Sequence, residues 1–181
     1  QAAPSVSLDA IAATVKAAAP AAQQEQAAAF GRAYYARLPD DELALRPVAA
    51  WSGFAHSALA FAQIRVPGQA KIRVFNPDMA KDGFDSVNTV IQVVNDDMPF
   101  LVDSVNMLLT QKGIGQHGML HPVFLVERDA SGKLKAIGSG AAESYLHVEI
   151  DRQPGPDEMA AIEHGLATVF ADVRASVADW L

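Results

Sequence analysis

Cysteine is absent from the 181 residues. That excludes disulfides, thiolate nucleophiles and cysteine-ligated metals, and it fits a reducing compartment, so a cytoplasmic location is expected. No apolar run approaches membrane-spanning length, and no membrane partner is expected. Basic residues are also short: 14 Lys and Arg stand against 21 Asp and Glu, for a formal net charge of −7. Such a surface, with an isoelectric point near 5.1, repels phosphate backbones and argues against nucleic acid as a partner. The opening QAAPSVSLDA lacks the basic-then-apolar layout of a signal peptide. It reads as a fragment boundary, the other reading being a mature secreted start after an Ala-rich cleavage site.

What is present is globular. Half of the residues are hydrophobic and 19% are charged, which is not a disordered composition. A chain of this length fits one domain, or one domain with a helical extension, and can bury roughly 70% of its unfolded surface.

Periodicity divides the chain near residue 66. The first part, 1–66, reads as a helical segment. Leu8 to Ala18 is Ala-rich and stops at Pro20; Ala27, Phe30, Tyr34 and Leu38 then recur at helical spacing up to Pro39. A third helix starts near Pro47 and puts Trp51, Phe54, Ala58 and Phe61 on one stripe, which we read as core packing and not as a cofactor box.

The second part, 67–181, mixes strands and helices. Lys71 to Phe75 alternates as a strand and closes at Asn76-Pro77-Asp78; Thr89 to Val94 is β-branched and apolar on both faces except for Gln92, as a central strand is. His117 to Arg128 reads as a strand with Pro122 in its middle, which confines it to a sheet edge or a bulge. Asp129-Ala130-Ser131-Gly132 is a turn. Glu143 to Ile150 alternates, with Leu146, Val148 and Ile150 on one face and Tyr145, His147 and Glu149 on the other. Pro156 opens a long helix with Met159, Ile162, Leu166, Val169, Val173 and Val177 inward. From Thr89 the order is strand, helix, strand, strand, helix, the ferredoxin-like plan without its last strand. Lys71–Phe75 can fill that place beside Thr89–Val94. The expected fold is α+β: a four-stranded antiparallel sheet with two helices on one face, preceded by the helical segment.

The most informative stretch is NDDMPFLVDSV, Asn95 to Val105. Asp96 and Asp97 are good helix caps and Pro99 suits a first turn. Leu101, Val105, Leu108 and Leu109 share a face, Lys112 sits in the last turn, and Gly113 can take the left-handed stop. The two aspartates could instead hold a ligand's ammonium group beside a helix N-terminus that favours a carboxylate. Asp103 adds a third carboxylate, but no acceptor-rich loop completes a metal cage. Gly113 to Gly118 spells G-x-G-x-x-G; it follows a helix and enters a strand, the reverse of a dinucleotide fingerprint, and reads as a helix stop. His117 and His121 lie about 13 Å apart at ~3.3 Å per residue, too far to share an ion. His147 and Glu149 pair either as an acid–base couple, in a small free-standing enzyme, or as a satisfied surface or interface contact, with Tyr145 on the same face.

Asp97-Met98-Pro99-Phe100-Leu101 resembles the D-x-P-G-L turn that begins the first helix of ACT domains. With FNPD at Phe75–Asp78, HPVFLVERDASGKL at His121–Leu134, ESYLHVEIDRQ at Glu143–Gln153 and YYARLPDDELA at Tyr34–Ala44, the string is similar to the N-terminal region of the large bacterial NAD-specific glutamate dehydrogenases. The resemblance implies a parent chain that oxidises glutamate to 2-oxoglutarate with NAD, in a catalytic domain far downstream. The present chain would then be an ACT-like segment with no cofactor of its own, sensing an amino-acid effector or joining subunits and other domains of a homo-oligomer. The implied effector set is Asn95, Asp96, Asp97, Met98, Pro99 and Phe100 with Gly113, Gly115 and His117; the implied interface set is Tyr145, His147 and Glu149. Phe100 stands where amino-acid-binding ACT domains usually have Gly. It is expected to fill the pocket, which would leave a purely structural interaction module.

Overall fold

A computed structural model describes residues 5–179; the first four residues of the chain, part of the boundary reading above, lie outside the described residues. Seven α-helices and six strands follow in the order α1 (Leu8–Ala18), α2 (Gln24–Tyr35), α3 (Asp40–Leu43), α4 (Val48–Ala62), β1 (Lys71–Phe75), α5 (Met79–Asp82), β2 (Thr89–Asp96), α6 (Leu101–Lys112), β3 (Gln116–Leu120), β4 (Val123–Arg128), β5 (Leu134–Ile137), β6 (Ala141–Ile150) and α7 (Pro156–Ala178). The fold is α+β and every strand pairing with a resolved register is antiparallel. Six strands replace the expected four. The run expected from His117 to Arg128 is two strands, interrupted at His121-Pro122 because proline cannot donate to the ladder. Leu134–Ile137 is too short to announce itself.

The chain makes two compact units. The first comprises Gln1–Ile64, Asp78–Asp85 and Phe124–Ala141; the second comprises Arg65–Pro77, Ser86–Val123 and Ala142–Leu181.

The first unit is built on an aromatic run. Ring centroids step from Phe30 to Tyr34 at 5.6 Å, from Tyr34 to Tyr35 at 5.0 Å, from Tyr35 to Trp51 at 5.1 Å, on to Phe54 at 6.0 Å and to Phe84 at 5.0 Å. Trp51, Phe54 and Ala58 of the predicted stripe are buried and Phe61 is half-buried, so most of the stripe is core. The polar tips are satisfied: Tyr35 Oη donates to the Trp51 carbonyl at 2.6 Å and Trp51 Nε1 to the Leu43 carbonyl at 2.8 Å.

The second unit holds the functional candidates. β1 pairs with β2 (Lys71 opposite Val94, Phe75 opposite Val90), β2 with β6 (Thr89 opposite Ile150, Asp96 opposite Glu143), and β3 with β6. β1 thus lies beside β2 where the ferredoxin-like plan puts its last strand. β3 carries a bulge between Gln116 and Gly118. One face of β2 and β6 gives Ile91, Val93, Leu146, Val148 and Ile150 to a core that α6 and α7 cover with Leu101, Val105, Leu108, Leu109, Ile162, Leu166 and Phe170. The two helices run antiparallel. Gly165 of α7 faces the Leu108 side chain near the middle of α6, where a Cβ would meet it at 3.2 Å, and Arg174 reaches Asn95 and Asp96 before the start of α6.

The inward row expected along α7 divides. Ile162, Leu166 and Phe170 are buried, whereas Val169, Val173 and Val177 line a groove. The buried residues step by four, which drifts from the 3.6-residue stripe and brings Phe170 inward in place of Val169.

The β2–α6 junction

Asp96 ends β2, and Asp97 and Met98 lead to a turn at Pro99-Phe100. Neither aspartate caps α6, and Pro99 precedes its first turn. The N-cap is Phe100, in the left-handed conformation at φ 71° and ψ 8°, with no side-chain cap. Phe100 is the one described non-glycine residue with positive φ. The usual Gly at this point of an ACT turn is therefore explained by backbone geometry, since a Cβ is strained there. The ring does not fill a pocket: Phe100 is 62% exposed. Phe100→Gly should stabilise the fold by up to about 1 kcal/mol, left-handed strain relieved being partly offset by unfolded-chain entropy. Urea denaturation reads it, and a clear loss of stability would contradict the strain assignment.

Asp96 is withdrawn from capping by two guanidinium groups. Its Oδ1 accepts from Arg65 Nη2 at 2.8 Å, and its Oδ2 from Arg174 Nη1 at 2.8 Å and from the Gly68 N–H at 3.1 Å. Arg174 Nη2 donates to Asn95 Oδ1. Arg65 also grips Glu143, donating from Nε at 3.1 Å and from Nη2 at 2.6 Å, while Tyr145 Oη donates to the other oxygen of Glu143 at 2.7 Å. The Arg65 and Glu143 side chains are 3% and 2% exposed. Arg65 and Glu143 thus form a buried ion pair held by hydrogen bonds. For Arg65, burial lowers the pKa, but the bonds to Glu143 and Asp96 outweigh it and the net direction is up. For Asp96, burial raises the pKa, and the bonds from Arg65 and Arg174 reverse that and hold it below the usual carboxylate range.

The consequence for pH follows from that sign. A carboxyl with a depressed native pKa stabilises the fold above its unfolded value, near 3.9, and loses that contribution as pH falls through the native value. Asp151 acts in the same sense, lowered first by the Gly115 N–H and then by His117. Asp96→Asn should lower stability at neutral pH and flatten the acid limb below about pH 4. Denaturant midpoints measured from pH 7 to pH 2 check this; parallel curves for the two proteins would contradict it.

Asp97 remains open. One of its oxygens accepts from Ser144 Oγ at 2.8 Å, its N–H donates to the Ala142 carbonyl at 3.1 Å, and the residue is exposed. The remaining expected effector residues lie elsewhere. Gly113 stops α6 at φ 67°. Gly115 N–H and His117 Nε2 both meet Asp151, at 2.6 and 2.7 Å. A helix of α6's 12 residues is ~18 Å long, so this group and the Asn95–Phe100 group sit at opposite ends and do not share one site. The interface set is buried: Tyr145 is 1%, His147 2% and Glu149 7% exposed, which takes it off the surface open to a second subunit. His147 Nε2 and Glu149 Oε1 are 4.0 Å apart, longer than a hydrogen bond. No group of three His, Cys, Asp or Glu side chains that could hold a metal occurs among the described residues.

Arg65, Glu143 and Arg174 were not expected from sequence. The available signal was weak: one arginine after a helix, one glutamate opening a strand, and one arginine in an alanine-rich helix.

Residues 30–166 match the family described as glutamate dehydrogenase, ACT1 domain. The chain is similar to the NAD-specific glutamate dehydrogenase of Halomonas elongata, at 36% identity over 158 residues, 83% of this chain and 10% of that protein. The enzyme of the same name from Pseudomonas aeruginosa is 35% identical over 162 residues, 86% of this chain and 10% of that one. That of Mycobacterium tuberculosis is 32% identical over 122 residues, 64% and 7%. The chain thus spans about a tenth of the length of the first two relatives. It belongs to the ACT1-domain family of the glutamate dehydrogenases.

Proposed function

We propose that this chain is a non-catalytic regulatory and assembly domain of a long NAD-dependent glutamate dehydrogenase. The parent oxidatively deaminates L-glutamate to 2-oxoglutarate, binds NAD outside this segment, and works as a cytoplasmic homo-oligomer. The observation that carries the reading is the ACT1 match across residues 30–166 in a chain about a tenth as long as its relatives. The effector is an amino acid at the start of α6. There the helix has no side-chain cap, which favours a carboxylate, and Asp97 is exposed beside it, which favours an ammonium. Asp96, held by Arg65 and Arg174, serves the architecture instead.

The test is thermal melting of the chain against each common amino acid. A ligand at 100 times its dissociation constant adds about 2.7 kcal/mol, or roughly 5–11 °C for a chain of this size. One amino acid should give such a shift, and Asp97→Asn should remove it. If none does, the second reading leads: an interaction module without a small ligand, favoured by the exposed Phe100 ring. Turnover of glutamate and NAD by this chain alone would overturn both.

A further inference from the structure

An apolar groove of about 590 Å³ runs between α6 and α7 in the second unit. On the α6 side stand Phe100 and Met107, 62% and 51% exposed. On the α7 side stand Val169, Val173 and Val177, half-buried and at i, i+4 and i+8. Each side is about two helical turns long at ~1.5 Å per residue. Isolated exposed apolar residues need no explanation, but a facing set of five around one groove marks a binding surface.

Phe100 adds a second observation. Its backbone is left-handed, its side chain does not cap the helix, and its ring stands largely in solvent. The strain thus holds a large aromatic ring at the groove's end. Strained residues cluster where a ligand or partner is gripped, and exposed aromatic rings are common anchors of interfaces.

The charge is one-sided. Asp172 lies in the α7 wall, and no Lys, Arg or His lines the groove among the described residues. Asp103 is exposed one turn from both Phe100 and Met107 on α6, and exposed Asp179 follows α7. None of these three carboxylates has an ion pair among the described residues.

We propose that the α6–α7 groove docks an amphipathic helix whose apolar side chains are flanked by lysine or arginine. Its apolar residues at i, i+3 or i+4, and i+7 enter between Met107 and the valines, Phe100 closes over one end, and its basic flanks meet Asp103 and Asp172. This is the helix-in-groove mode of recognition, with an acidic rim that selects sign and speeds encounter. It does not depend on whether the start of α6 takes an amino acid.

The test titrates the chain, labelled at the methionine methyls, with synthetic helices of about 16 residues, long enough to hold helical structure. One carries a leucine stripe flanked by lysine, a second replaces lysine by glutamate, and a third scrambles the lysine peptide. The lysine peptide should bind saturably, at least about tenfold more tightly than the others, and shift the Met107 methyl. Phe100→Gly should weaken it by about tenfold or more without lowering the melting temperature, a split that a folding defect cannot produce. Asp172→Lys should erase or reverse the preference between lysine and glutamate peptides. Equal binding of the scrambled peptide, a silent Met107 methyl, or no binding overturns the proposal. So does displacement of the peptide by a free amino acid at the Met107 methyl, which would make the groove a small-molecule site.

Discussion

Replacing Arg65 by Ala is expected to destabilise the chain by about 3–5 kcal/mol, because it takes the guanidinium away from a buried carboxylate. Glu143 is 2% exposed and would lose both bonds from Arg65. Asp96 would retain Arg174 and the Gly68 N–H, so the larger part of the loss lies at Glu143. At roughly 2–4 °C per kcal/mol the melting temperature should fall by about 6–20 °C. The double change Arg65→Met with Glu143→Gln separates mechanisms. Removing both charges leaves no buried ion without its counter-ion, which costs less than leaving the carboxylate behind. The double variant should therefore be more stable than Arg65→Met alone. If the two losses simply add, the ion pair is not what Arg65 contributes.

Phe170→Ala is expected to cost about 3–5 kcal/mol, the usual range for emptying a phenylalanine site. Phe170 is 1% exposed and is the last buried residue of α7. Beyond it the helix is lined on one side by the α6 groove and on the other by a second cleft with Gly68, Gln69 and Ala70. Arg174 ties this part of the helix to the β2–α6 junction. The loss should be uneven: hydrogen exchange should accelerate more at amides after residue 170 than around Ile162 and Leu166. Uniform acceleration along α7 would show that the helix opens as one piece.

Elements with local stop signals were legible. α1 ends before Pro20, β1 ends at Asn76-Pro77-Asp78, and α6 ends at Gly113 with its glycine left-handed. Each boundary depends on neighbours in the chain, which a sequence displays. The start of α6 is hidden for the opposite reason. Aspartate is a good cap, but Asp96 is claimed by arginines 31 and 78 positions away, and no local rule weighs partners at that distance. The left-handed backbone of Phe100 was equally hidden, since only glycine and asparagine advertise it. The candidate site was legible as a place, the Asn95–Phe100 junction. It was not legible as a set: Gly115 and His117 lie at the far end of α6, and Tyr145, His147 and Glu149 are inside.

The interleaving of the two units bears on how the chain is made. It passes between them after residues 64, 77, 85, 123 and 141. A ribosome emits the chain in one direction, so the first unit stays incomplete until Phe124–Ala141 has emerged. By then β1, β2, α6 and β3 of the second unit already exist. The aromatic run must wait for Phe84 at one end and for Phe124, which packs on Phe30, at the other, and β2 must wait for β6. Neither unit can be finished first as a continuous stretch, and no single cut separates them. A gene encoding either half alone would produce strands and rings without their partners.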